Sequence, residues 1–75
     1  MISADYLIVI EKAEGNYGAW CPDLPGVVAL GETEDECVES MRSAIAFHIE
    51  GLIEDGDPVP PPAAVAARTV HIEAA

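Results

Sequence analysis

The run Tyr17-Gly18-Ala19-Trp20-Cys21-Pro22-Asp23-Leu24-Pro25-Gly26 limits the possible folds more than any other part of this chain. Pro22 and Pro25 have no amide hydrogen and a fixed φ, so a sheet ladder cannot run through them. Gly26 admits a positive φ where the chain must reverse, and the Asp23 carboxylate is suited to bonding within its own turn. An aromatic-rich strand therefore ends at Cys21, and a rigid corner delivers the chain to a second strand beside the first.

Elements follow on both sides of that corner. Asp5 to Lys12, rich in Tyr, Leu, Ile and Val, predicts a first strand that is apolar on both faces until Glu11. Ala13-Glu14-Gly15-Asn16 has hairpin-turn chemistry, and Tyr17 to Cys21 is the second strand. Within it Tyr17, Ala19 and Cys21 share one face, and Gly18 and Trp20 the other. Val27 to Gly31 is a short third strand. Thr33 and Glu36 make a capping box, and Glu32, Glu34, Asp35 and Glu36 suit the positive end of a helix dipole. Val38, Met41, Ile45, Ile49 and Leu52 then recur at three- and four-residue steps, the pattern of a helix covering a sheet. Gly56 is placed to close that helix and Pro58 to prevent its continuation. Pro58 to Pro62 reads as a stiff extended connector, and the alternation of Arg68 to Glu73 predicts a fourth strand with Val70 and Ile72 inward. The expected fold class is α+β, ordered βββαβ, as one domain over residues 1–75.

Composition narrows the function. Fourteen acidic residues against three basic ones give a net charge of −11, which opposes direct nucleic-acid binding and favours encounter with a basic protein. An apolar content of 51% in 75 residues leaves more apolar surface than one small core can hide, so self-association as a dimer or tetramer is expected. Cys21 and Cys37 are not spaced as a CxxC pair and are expected as buried free thiols. With no signal-like or membrane-spanning run, a reduced cytoplasmic setting is expected. No catalytic or metal site is expected. Cys21, Cys37, His48 and His71 lie on four separate elements without ligand spacing. Ser3, Ser40 and Ser43 lack a nucleophile elbow or oxyanion loop.

The corner, together with Ala29-Leu30-Gly31-Glu32-Thr33, Glu36 and the helix ending at Gly56-Asp57-Pro58-Val59-Pro60, resembles the HicB family. Its members are antitoxin partners of small HicA ribonucleases. The motif positions of that resemblance are Tyr17, Pro22, Asp23, Pro25, Gly26, Gly31, Thr33 and Glu36. It implies a reduced RNase H-like fold and an antitoxin that occludes a small basic toxin. A working RNase H-type site needs carboxylates converging on metal, whereas the first strand carries them only at its ends, Asp5 and Glu11. Enzymatic activity and cofactors are therefore not expected. Many members add a C-terminal DNA-binding module that these 75 residues do not contain, so operator binding is not expected. Trp20, Asp23, Glu32, Glu34 and Asp35 are the candidate partner-binding residues. For Trp20 the first reading is helix-facing core, and the second is an interface anchor. The alternative function is a stand-alone, self-assembling scaffold without a toxin.

Overall fold

The structure, a computed structural model, describes residues 3–75. Three strands, β1 (Val9–Ala13), β2 (Asn16–Trp20) and β3 (Val28–Gly31), precede one long helix, α1 (Glu34–Glu54). The strands form an antiparallel meander in the order β1-β2-β3. Its register sets Ile10 opposite Ala19 and Ala19 opposite Ala29, with Val9, Trp20 and Val28 in the next row. The α+β class, the meander and the single helix are those expected from the sequence.

β1 begins four residues later than the Asp5 start read from composition. The register explains why. Val9 faces Trp20, so Leu7 would have to pair with Pro22, which has no amide to offer. Tyr6 and Ile8 still pack against the core, as side chains without a ladder. The hairpin turns at Gly15, with φ 85°. The corner is two fused turns: the Leu24 amide donates to the Cys21 carbonyl and the Val27 amide to the Leu24 carbonyl, each at 3.2 Å. Each turn has proline at its second position, and Gly26, at φ 88°, gives the second turn type II geometry. Leu24, where the turns meet, is buried in the core with Ala19, Cys21, Val27, Cys37 and Met41.

The helix starts as its caps dictate. The Thr33 hydroxyl accepts from the Glu36 amide at 3.1 Å, while the Glu36 carboxylate accepts from the Glu32 amide at 3.1 Å, one residue earlier than in the standard box. At the other end Gly56 donates to the Ile53 carbonyl and Asp57 to the Leu52 carbonyl, a Schellman closure with Gly56 at φ 72°. α1 packs on β3 and β2. The closest approach is at Gly31, where a Cβ would lie 2.5 Å from the Cys37 nitrogen. Gly31→Ala should therefore push the helix start off the sheet and cost about 1–3 kcal/mol, as overpacking does. A lower urea midpoint checks this, and an unchanged midpoint would mean that the contact relaxes freely.

The fourth strand is a correction. Residues 68–73 pair with nothing among the described residues, and Val70 and Ile72 are 82% and 74% exposed. Alternation makes a segment able to pair, but a strand also needs a free edge within reach. The chain returning from α1 is led elsewhere: the Tyr6 hydroxyl donates to the Pro60 carbonyl, and the Asp23 carboxylate accepts from the Ala63 and Ala64 amides at 3.0 Å each. Asp23 thus ties down a segment forty residues away, where the sequence suggested a bond within its own turn.

Candidate functional site

With α1 covering one face of the sheet, no layer of the described residues lies over the other. Strand alternation places Val9, Glu11, Gly18, Trp20, Val28 and Leu30 there, on the face opposite Ile10, Ala19 and Ala29. This corrects the first reading of Trp20. The ring is 42% exposed on the outer face, not packed under the helix, while Val28 and Leu30 are 68% and 67% exposed. The Trp20 indole Nε1 donates to the Glu11 carboxylate at 2.9 Å, which fixes the ring and leaves its apolar face available. Leu30 lies across Gly18, its Cδ2 lying 3.5 Å from where a Cβ at that glycine would be. A shallow trough of about 270 Å³ runs between Glu11, Ala13, Asn16, Gly18, Trp20 and Leu30.

Charge surrounds this patch on one side. Glu11 stands on it, Glu14 is in the hairpin turn, and Glu32, Glu34 and Asp35 follow directly on β3 at the exposed helix start. Aliphatic and aromatic side chains at the centre, with carboxylates at the margin, are the anatomy of a protein-docking surface for a cationic partner. The five residues proposed from sequence do not converge. Trp20 sits on the outer face at the corner end of the sheet, the acidic group lies beyond the opposite end of β3, and Asp23 serves the returning chain. Sequence reasoning missed Glu11, Val28 and Leu30. The alternation of Val28 and Leu30 with Ala29 was the available signal, once Trp20 is known to face outward.

A second unfilled surface lies on the helix side. The outer edge of β1 and the exposed flank of α1 enclose a groove of about 730 Å³ lined by Ile8, Ile10, Val38, Ile45 and Ile49, with Asp5, Arg42 and Glu50 at its rim. Catalytic geometry is another matter. Among the described residues no three His, Cys, Asp or Glu side chains gather as metal ligands. Cys21 and Cys37 are buried and unpaired, and the Cys37 thiol lies 3.9 Å from the Ala29 carbonyl. No helix is long and apolar enough to cross a membrane among the described residues.

The family model described as the HicB-like antitoxin of the bacterial toxin-antitoxin system matches residues 6–74. The chain belongs to the HicB-like antitoxin family. A 14.9 kDa protein of Haemophilus phage HP1, from the rep-hol intergenic region, is 42% identical over 55 residues. That match takes in 73% of this chain but 41% of the phage protein, so the chain spans less than half of that relative. A UPF0150 protein of Synechocystis is 39% identical over 57 residues, covering 75% of this chain and 72% of its own length. Among solved structures, the N-terminal domain of the antitoxin HicB from Burkholderia pseudomallei superposes with a TM-score of 0.70 at 38% identity, covering 80% of this chain and 70% of that one. A chain of the HicA3 and HicB3 toxin-antitoxin complex superposes with a TM-score of 0.68 at 33% identity, over 79% and 70% of the two chains. The HicB resemblance read from the Pro22–Gly26 corner is thus established at the level of family and fold.

Proposed function

We propose that this HicB-like chain neutralises a small, basic HicA-type ribonuclease by covering its RNA-binding surface, with the outer face of the sheet as the contact. The observation that carries this reading is the exposed Trp20, Val28 and Leu30 cluster, edged by carboxylates, on a family member of net charge −11. A basic ribonuclease presents cationic side chains to mRNA, and an acidic protein with an apolar anchor competes for that surface. The chain acts by binding, without catalysis or cofactor, in the cytoplasm where mRNA is cut. A structural neighbour belonging to a toxin-antitoxin complex supports the same reading.

The test is co-expression with whatever small basic protein is encoded beside this one. That protein alone should arrest growth, and this chain should restore it. A neighbour that is harmless alone, or stays toxic beside this chain, overturns the antitoxin reading. Electrostatics should show mainly in the association rate, which should fall steeply with added salt. Glu34→Lys with Asp35→Lys should slow association by about tenfold and leave dissociation nearly unchanged. Stopped-flow mixing at two ionic strengths checks both. An unaltered association rate would make the helix start a solvated face only.

The second reading, a self-assembling module, is favoured by a separate observation: an apolar groove beside β1 and the aliphatic Val70 and Ile72, which nothing among the described residues covers. The two readings are compatible, because self-association here uses the helix side of the sheet and toxin contact uses the other.

A further inference from the structure

Two unsatisfied parts of this molecule match each other. One is residues 68–73, a strand-like segment whose Val70 and Ile72 lie open to water. The other is the groove between β1 and α1, where the sheet ends with an edge unpaired among the described residues and Ile8, Ile10, Ile45 and Ile49 remain only partly covered. A strand laid beside β1 would continue the ladder and drop alternate side chains onto those isoleucines.

We infer that residues 68–73 of one copy form the fourth strand of a second copy, pairing with its β1, and that the exchange is reciprocal. The chain's own groove is the poorer host for geometric reasons. The returning segment passes Tyr6, ahead of β1, and is then fastened by Asp23 in the β2–β3 corner, so it is travelling away from the β1 edge. To reach its own β1 it would have to reverse within Val65-Ala66-Ala67, which holds no Gly, Pro, Asn or Asp to make a turn. It continues outward instead, and the molecule extends 51 Å along its long axis against 26 and 18 Å across.

Charge sets the direction of the added strand. The chain has three basic residues, and one of them, Arg42, stands at the groove rim while another, Arg68, opens the exchanged segment. Asp5 and Glu50 mark the end of the groove where β1 is entered, and Arg42 lies toward the hairpin end. Arg68 shares a strand face with Val70 and Ile72, and bringing it beside Asp5 and Glu50 requires the strand to run parallel to β1. Reversed, the strand would set Arg68 toward Arg42.

This inference rests on the self-association reading and names its means. Sedimentation of the full chain at tens of micromolar should give twice the 7.9 kDa monomer mass. Val70→Asp with Ile72→Asp should weaken dimerisation by at least about 100-fold, since both aliphatic side chains leave an apolar contact in each half. Both positions are exposed in the single chain, so its helix signal by circular dichroism should persist. In a sample mixing isotope-labelled and unlabelled chains, methyl NOEs should cross from Val70 and Ile72 of one copy to Ile10 and Ile45 of the other. A monomer at that concentration overturns self-association and exchange together. A dimer that survives the double substitution, or NOEs confined within one chain, overturns the exchange alone.

Discussion

Met41→Asp should leave the chain unfolded at any temperature. Met41 and Cys37 are fully buried where α1 meets the sheet, in one cluster with Ala19, Leu24 and Val27, and among the described residues no buried polar side chain is there to receive a carboxylate. An unpartnered buried charge costs several kcal/mol even after relaxation, and a single core of this size supplies roughly 3–5 kcal/mol. The penalty therefore equals or exceeds the stability. Met41→Leu, which keeps the volume, should cost less than about 1.5 kcal/mol, and Met41→Ala about 2–5 kcal/mol. Ile45→Ala should cost less than Met41→Ala, because Ile45 is half-buried and borders the open groove. Urea titrations followed by circular dichroism order the four variants. A folded Met41→Asp protein with the parent midpoint would mean that the core lies elsewhere.

How much of this was legible in the sequence divides along the range of the interactions involved. The helix and its ends were legible because capping is local: Thr33, Glu36 and Gly56 act on amides and carbonyls within five residues. The corner was legible for the same reason, since Pro22, Pro25 and Gly26 each fix their own φ. Leu24 was not, because an aliphatic residue inside a proline corner belongs to no hydrophobic period. The role of Asp23 was also hidden, since its partners lie forty residues on.

The face of Trp20 shows the limit most plainly. Alternation correctly separated Gly18 and Trp20 from Tyr17, Ala19 and Cys21, but parity alone does not say which set the helix will cover. The short link from Gly31 through Glu32 and Thr33 decides that, together with the close seating of Gly31 against Cys37. The fourth strand failed for a related reason. Residues 68–73 carry the pattern of a strand, whereas the location of a partner edge is a property of the whole fold, or of two copies of it.

Val28→Asp with Leu30→Asp should abolish the proposed neutralisation of a HicA-type toxin while leaving the fold intact. Both side chains are about two-thirds exposed on the outer face, so the substitutions remove little from the core. They do put two carboxylates at the centre of the proposed contact, where a docked partner would have to desolvate them. Affinity for the toxin should fall by at least about 100-fold, the scale of losing two aliphatic anchors, and co-expression should no longer rescue growth. Opposed effects make this substitution informative. It takes the net charge from −11 to about −13, and added negative charge should quicken encounter with a basic protein. If attraction of opposite charges were the whole basis of recognition, the variant would bind at least as tightly as the parent. If the apolar face is the contact, association stays fast and dissociation becomes much faster. Calorimetry for affinity and stopped-flow mixing for the two rates separate these outcomes. Tighter or unchanged binding by the doubly substituted chain would move the toxin contact off this face and onto the acidic helix start.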